Sequence, residues 1–384
     1  MNRKRLTIAR QRAGKRGFRC RRPRLLKAVD FFCGAGGMSY GLAKAGIKVL
    51  AGIDCDGSCR ETYERNNKPA KFIQKDVGKL SPQWLGKELN ISKHDDRLIF
   101  VACSPCQFWS KINTDKKKNR ESAFLLPEFE RFVDWFRPAF VIIENVPGMS
   151  KKRASLLPQF RRFLRERKYS FKQDIINSNF HGVPQNRLRY LLIATRLADS
   201  IHLPAPTAKR FVVRDFLGER NGFPSIPAGH QDSTQFLHTA ASLSAANLKR
   251  VRRTRVDGGT RQSWKDDPQL QIPAYKQKDE IFRDVYARMF WDRAAPTITT
   301  RFNSFSNGRF GHPEENRAIS LREGATLQTF PKRYIFVGTN QGTIARQIGN
   351  AVPPALAKCI GRHLLRVKKM SKSQSCRSKK PRHN

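Results

Sequence analysis

The stretch AVDFFCGAGGMSYGLAKAGIKVLAGID (28–54) contains an apolar run, a glycine-rich turn, a helix-length segment and a second apolar run. This order predicts a strand, a tight turn, a helix and a second strand, which is the repeating unit of an α/β fold. The alternation continues to about residue 200, and it predicts strands at 28–32, 48–54, 71–76, 98–104, 140–146 and 189–195. Because helices separate these strands, we expect a doubly wound α/β domain, with a parallel sheet covered on both faces.

The pattern changes near residue 200. Residues 203–290 are rich in Pro, Gly, Ser, Arg and Asn, and their few apolar runs predict a second, smaller and irregular domain. Helical periodicity returns at 352–367, where the chain could rejoin the first domain. We therefore divide the chain into a basic tail (1–26), a first domain (27–200), an irregular domain with a hinge (201–342), a return segment of the first domain (343–367) and a second basic tail (368–384).

The formal net charge is +44, with 75 Lys and Arg against 31 Asp and Glu. Residues 1–24 and 367–384 together hold eighteen basic and no acidic residues, and solvated disorder is the ordinary interpretation of such ends. The other +26 lies on the body of the chain, which indicates a polyanionic partner, most commonly nucleic acid. An anionic membrane surface is the alternative, although no basic amphipathic helix accompanies the charge.

Three features of the whole chain predict where it works. It has no apolar run long enough to cross a membrane. The charged N-terminus is not followed by the apolar stretch of a secretory signal. Eight cysteines in a chain without an export signal favour reduced thiols over disulfides. We expect a cytoplasmic protein that does not bind membranes.

The glycine-rich turn between the first strand and the first helix contains Gly34, Gly36 and Gly37. Glycines at this place let the backbone turn tightly and let a ligand approach it. Asp54 and Asp76 end the second and third predicted strands at the same edge of the sheet, where an acid can accept ribose hydroxyls. The pattern indicates a nucleoside-type cofactor, while a purely structural turn and two helix N-caps remain the alternative.

Two cysteines, Cys103 and Cys106, follow the fourth predicted strand in the sequence VACSPCQFWSK (101–111). They could form a redox pair, half of a zinc site completed by Cys55 and Cys59, or one nucleophile beside a bystander. In a doubly wound sheet the first strand would separate the two cysteine pairs, which argues against a metal site. The carboxyl edge of the sheet is where ligands bind, so Cys106 would lie at the mouth of the crevice.

Several sequence blocks resemble the signature blocks of DNA (cytosine-5)-methyltransferases. They occur in the family's order and cover residues 28–200 and roughly 290–367. Besides the glycine-rich turn, they are SPCQ (104–107), VIIENVPGM (141–149), QNRLRYLLIA (185–194), AAPTITTRF (294–302), REGATLQTFP (322–331) and QIGNAVPPALA (347–357). One departure is ACSPCQFWS, which stands where many members have two glycines and a second proline.

The resemblance implies a Rossmann-like methyltransferase domain that uses S-adenosylmethionine, and a role for each matched residue. Cys106 would be the nucleophile and Cys103 a small strand residue, while Glu144 would hold the cytosine ring and donate a proton. The implied catalytic residues are Cys106, Glu144, Arg187 and Arg189. The implied cofactor-binding residues are Phe32, Gly34, Gly36, Asp54, Asp76, Pro105 and Asn350. Without the motifs, Glu144 would be interpreted as a helix cap, and the two arginines as phosphate contacts.

The resemblance also implies partners. The substrate would be double-stranded DNA whose target base is flipped out, and residues 107–121 would form a lid. Residues 201–342 would be the target-recognition domain, with the arginines of 248–265 as candidate base contacts. We expect a monomer without a metal, with a cognate restriction endonuclease as a system partner rather than a bound subunit. A transfer-RNA methyltransferase of the same fold and a catalytically inactive nucleic-acid-binding protein are the rival interpretations.

Overall fold

The computed structural model describes residues 25–103, 125–151, 155–275 and 282–377. Within them, seven strands comprise Lys27–Phe31 (β1), Lys48–Asp54 (β2), Lys71–Gln74 (β3), Leu98–Ala102 (β4), Phe140–Asn145 (β5), Ser170–Asn177 (β6) and Leu188–Thr195 (β7). The α-helices are Gly37–Lys44 (α1), Arg60–Asn66 (α2), Pro82–Leu89 (α3), Leu125–Phe136 (α4), Gly148–Lys151 (α5), Leu157–Glu166 (α6), Ala245–Arg253 (α7), Leu321–Leu327 (α8), Gln341–Asn350 (α9) and Pro354–Arg377 (α10). None of the described helices is both long enough and apolar enough to cross a membrane.

The strands form one sheet in the order β3-β2-β1-β4-β5-β7-β6. The predicted α/β class is confirmed, and β1 lies between β2 and β4 as expected. Two sequence-based expectations need correction. The sequence did not predict β6, and β7 runs antiparallel to both of its neighbours. Residues 178–187 join β6 to β7 without a crossover helix, and a direct connection of this kind reverses the strand direction.

Apolar side chains cover both faces of the sheet. On one face, β1 packs against α4, where the Phe31 ring meets Phe129 and Phe132 at centroid distances of 5.2 and 5.1 Å. On the other face, α1 and α10 pack together over residues that include Val101 and Ile142. Because strand side chains alternate between faces, Glu144 lies on the same face as Ile142, which is the α10 face.

A second apolar core lies outside the sheet. It contains Phe302, Phe330 and Tyr334, and α9 contributes Ile344 and Ile348. From Val352 onward the chain packs on the sheet again. Between 203 and 275, the structure describes one α-helix, α7, and several short 3₁₀ turns. The domain limits given above stay predictions.

Candidate active site

The glycine-rich turn connects β1 to α1 at the carboxyl edge of the sheet. The Gly34 N–H donates to Asp54 Oδ2 at 2.8 Å, which ties the turn to the end of β2. Gly34 and Gly36 have φ angles of 48° and 84°, in the region that favours glycine. A Cβ atom on Gly36 would lie 2.3 Å from Asn67 Nδ2, whereas a Cβ on Gly34 would meet no atom of the described residues within 4 Å. Among those residues, the turn is therefore packed from behind at Gly36 and open at Gly34.

Asp54 does not cap a helix. Its Oδ1 accepts from the Asp56 N–H at 2.9 Å, and it is Asp56 that caps the 3₁₀ turn Gly57–Cys59. Burial raises the pKa of Asp54, and the two N–H groups that donate to it lower the pKa in part. A half-buried carboxylate that still has lone pairs free can accept further hydroxyls.

Three further predicted cofactor-binding residues are Asp76, Phe32 and Asn350. Asp76 is exposed and caps the 3₁₀ turn Val77–Lys79, accepting from the Gly78 N–H at 2.9 Å. Phe32 is half-buried, with a φ angle of 61°. Asn350 is exposed and ends α9. The chain just beyond Asn350 touches the glycine-rich turn, because a Cβ atom on Gly37 would lie 2.3 Å from the Val352 carbonyl oxygen.

A buried carboxyl group lies beneath the turn, and the sequence analysis did not single it out. Asp30 is fully buried at the end of β1, where its Oδ2 accepts from the Ser39 hydroxyl at 2.7 Å and the Ser39 N–H at 3.1 Å. Tyr63 extends the network to α2 through a 2.9 Å hydrogen bond with Ser39. Asp30 Oδ1 has no hydrogen-bond partner among the described residues, and burial raises the pKa of Asp30 to about 7. The only sequence signal was an acid inside an apolar strand.

Glu144 and Arg189 face each other across β5 and β7. Glu144 pairs with Leu191 in the antiparallel register, which places Arg189 diagonally opposite on the same face. Glu144 Oε1 lies 3.1 Å from Arg189 Nε, and both side chains are about nine-tenths buried, at 8% and 11% exposure. The two groups are not oriented as a hydrogen bond requires, so the contact is an ion pair. Glu144 is not a helix cap, because it lies inside the strand.

Cys103 follows β4 directly, and its N–H donates to the Phe31 carbonyl at 3.3 Å. Burial raises the pKa of the Cys103 thiol well above its usual range, and the negative charge of Glu144 raises it further. Cys103 is therefore a neutral thiol packed beside the sheet. Cys106 and Pro105, as well as the predicted lid at 107–121, lie outside the described residues.

Comparison with known proteins decides the family. The family model described as C-5 cytosine-specific DNA methylase matches residues 26–366. The Type II methylase M.HgiDII of Herpetosiphon aurantiacus is 39% identical over 347 residues, covering 88% of this chain and 94% of that protein. The chain belongs to the C-5 cytosine-specific DNA methylase family. The enzyme is thus a DNA (cytosine-5)-methyltransferase, as the sequence blocks implied.

Other similar proteins agree with this assignment. The Type II methyltransferase M1.BsuMI of Bacillus subtilis is 27% identical to the methyltransferase described here, covering 89% of this chain and 81% of that protein. Among solved structures, a prophage-encoded E. coli protein has a TM-score of 0.69 at 23% identity, covering 90% of this chain and 99% of its own. The S. pombe Dnmt2 methyltransferase has a TM-score of 0.57 at 16% identity, with the same coverage. At these identities the two structures support the fold.

The second arginine of the predicted pair, Arg187, has surroundings unlike those of Arg189. It is 2% exposed, and its guanidinium donates to the carbonyls of Ile298, Gly349 and Ala351 at 2.9, 3.0 and 3.1 Å. In the methyltransferase Arg187 thus joins the start of β7 to two of the sequence blocks, 294–302 and 347–357. The contacts are those of a side chain that positions other segments.

The structure sorts the candidate recognition arginines of 248–265 into two groups. Arg250 donates to the Leu270 carbonyl at 2.8 Å, and Arg261 is 4% exposed and donates to the Phe282 carbonyl at 2.9 Å. These two arginines of the methyltransferase hold segments of the predicted recognition domain together. The exposed arginines, which remain available to a partner, are Arg252, Arg253 and Arg255.

The described residues bring one set of metal-ligating side chains together, and it contains no cysteine. His312, Glu315 and Glu323 place possible ligand atoms within 4.8 Å of one another. Arg317 lies among them, with Nη1 2.6 Å from Glu323 Oε2 and Nε 2.9 Å from Glu315 Oε2. A guanidinium already compensates these carboxylates, so the methyltransferase has an internal ion-pair network here.

Proposed function

We propose that the enzyme transfers a methyl group from S-adenosylmethionine to carbon 5 of cytosine within a specific sequence of double-stranded DNA. The observation that carries the proposal is the Glu144–Arg189 ion pair at the same sheet edge as the Gly34–Asp54 contact. The Glu144–Arg189 pair would present a carboxyl group to a base. The Gly34–Asp54 pair would present an accessible stretch of backbone and a carboxylate to a nucleoside. Both belong to the substrate edge of a doubly wound sheet.

The described residues fit the cofactor. The described residues leave space in front of Gly34 for a ligand close to the backbone, and Asp54 would accept ribose hydroxyls. Phe32 would pack against the adenine, Asp76 would accept its amine, and the block that contains Asn350 would close the pocket over the turn. S-adenosylmethionine, when bound, supplies an electrophilic methyl group, while the protein supplies position and electrostatics.

The chemistry requires that the cytosine ring be activated. We propose that the Cys106 thiolate adds to carbon 6, so that the carbon 5–carbon 6 double-bond electrons make carbon 5 nucleophilic. In its protonated form Glu144 holds ring nitrogen 3 and the exocyclic amine, and it donates its proton to nitrogen 3 as negative charge develops on the ring. After carbon 5 has gained the methyl group, a base removes its hydrogen. The bond between carbon 6 and sulfur then breaks, which restores the double bond and releases the Cys106 thiolate, and the proton on nitrogen 3 returns to Glu144.

We propose different roles for Arg189 and Arg187. Arg189 compensates the charge of Glu144 and fixes its direction, which favours one orientation of the base. Arg187 positions the segments around residues 298 and 349–351 relative to β7.

Because the target atom lies inside a duplex, the base must be flipped out. Type II methylase relatives favour a restriction-modification system with a separate endonuclease as companion.

Bisulfite sequencing tests the function and the substrate together. The chain is expressed in cells that lack cytosine methylation of their own, with the Glu144→Ala variant as the inactive control. We expect protected cytosines at one recurring DNA sequence with the native chain and none with the variant. Unprotected DNA would contradict the proposal, and protection confined to transfer RNA would support the rival substrate instead.

A further inference from the structure

An exposed aromatic ring with a cation stacked on it lies beside the candidate active site. Phe180 is 40% exposed, and the Arg210 guanidinium lies 4.0 Å from the centre of its ring. The neighbouring Lys209 lies 4.8 Å from the ring centre of Phe211. We call Phe180, Lys209 and Arg210 the Phe180 patch. An aromatic face can hold a guanidinium by a cation–π contact, so this exposed ring can fix the position of a cation at the surface.

Hydrogen bonds hold the two segments of the patch together. The Thr207 N–H donates to the Phe180 carbonyl at 2.8 Å, and Asn179 Nδ2 donates to the Phe211 carbonyl at 3.2 Å. Arg210 Nη1 donates to the carbonyls of Thr207 and Ala208. The guanidinium is therefore held against the ring, which reduces the entropy lost when it binds a partner.

The patch lies at the substrate edge of the sheet. Phe180 belongs to the 3₁₀ turn Ser178–His181, which follows β6 where β7 begins and β5 ends at Asn145. The same turn packs against α10, with His181 Nδ1 3.8 Å from Cys359 Sγ. Glu144 and Arg189 also point to the α10 face. The patch and the ion pair thus share one edge and one face of the sheet.

The charges of the patch have no internal counterion within the described ranges. Arg214, four residues beyond Arg210, pairs with Asp292 at 2.8 Å. Lys209 and Arg210 are exposed, and no described carboxylate lies within 4.0 Å of either. The two adjacent cations are therefore available to an external anion.

We propose that the Phe180 patch binds the phosphate backbone of the DNA duplex that flanks the target cytosine. This inference rests on the proposed function and adds a contact surface outside the recognition region. Arginine binds phosphate well because its planar guanidinium offers several donors, and Phe180 fixes the plane of that group. A backbone contact adds affinity on any sequence and positions the duplex, but it does not select the target.

The test compares binding of two duplexes, one just long enough to contain the target and one extended on both sides. Fluorescence anisotropy at several salt concentrations gives the affinity and its salt slope. Arg210→Ala should weaken binding of the extended duplex roughly three- to ten-fold and reduce the salt slope by about one. Phe180→Ala should also weaken binding of the extended duplex. Phe180→Trp should bind it like the native chain, because tryptophan can still stack on the Arg210 guanidinium.

Lys93→Ala is the matched control. Lys93 Nζ also stacks on an aromatic ring, 3.5 Å from the centre of Trp135, but it precedes β4 at the opposite edge of the sheet. The control should bind both duplexes like the native chain. If Arg210→Ala matches the control while the native chain methylates the DNA, the inference is wrong and the proposed function stands. If the native chain methylates neither duplex, the proposed function fails, and the inference fails with it.

Discussion

Glu144 Oε1 lies 3.1 Å from Arg189 Nε across the antiparallel pair β5 and β7. The pair depends on the reversal of β7, because the antiparallel register places Arg189 diagonally opposite Glu144. The two charges are buried and compensate each other at the edge where a base would bind. Removing one of them leaves the other buried without a counterion.

Substitutions at Glu144 and Arg189 should therefore affect the stability of the protein and its activity differently. Arg189→Met should lower the free energy of unfolding by about 3 kcal/mol, because the Glu144 carboxylate loses its counterion. The double variant Glu144→Gln with Arg189→Met should recover most of that loss while remaining inactive. Urea unfolding and methyl transfer are measured on the two single variants and the double variant. If the double variant is no more stable than Arg189→Met, the two side chains do not contribute to stability as a pair, which would contradict the prediction.

Asp54→Ala should weaken S-adenosylmethionine binding by about 1.5–3 kcal/mol, because the ribose hydroxyls lose a charged acceptor. Asp56→Ala is the matched control, since it removes only the cap of the next 3₁₀ turn and keeps the N–H that donates to Asp54. Calorimetry should find an unchanged cofactor affinity for the control. Equal effects of the two substitutions would mean that Asp54 acts only on the backbone.

The buried Asp30 predicts a dependence of stability on pH. Its pKa is about 7 in the folded chain, against about 3.9 in an unfolded one, so the folded state holds its proton over that range. The native chain should lose stability as the pH rises from about 4 to about 7, by at most about 4 kcal/mol from this group. Asp30→Asn keeps an acceptor for Ser39 but cannot ionise. Its stability relative to the native chain should rise over the same range, as urea unfolding at several pH values will show.

The short apolar runs of the sequence predicted most strands of the sheet. Six of the seven strands were placed within two residues of their limits, because their apolar runs are largely buried, as β4 and β5 are throughout. The edge strand β6 was missed because it is only half-buried and alternates with polar residues such as Lys172 and Asp174. The reversal of β7 depends on the connection that precedes it, which has no periodicity of its own.

Side-chain surroundings were harder to predict than strands. The motif resemblance gave Arg187 and Arg189 the same role, yet one contacts backbone carbonyls and the other a carboxylate. Asp54 ends β2, but Asp76 lies two residues beyond β3. The sequence offered a cap or a cofactor contact for both, and it could not show that Asp76 caps a turn while Asp54 binds the glycine-rich turn. Such differences depend on segments far apart in the chain, including residues 298 and 349.

The most direct test of the account uses a duplex with 5-fluorocytosine at the target, together with S-adenosylmethionine. If Cys106 adds to carbon 6, the adduct is normally released by removal of the hydrogen at carbon 5, and fluorine prevents that step. We predict a protein–DNA complex that survives denaturant, with the base attached to Cys106 in the mass spectrum. Cys106→Ala should abolish the complex, and Cys103→Ala should still form it, because Cys103 is a neutral packed thiol. A complex attached through Cys103, or no denaturant-stable complex with the native chain, would contradict the account.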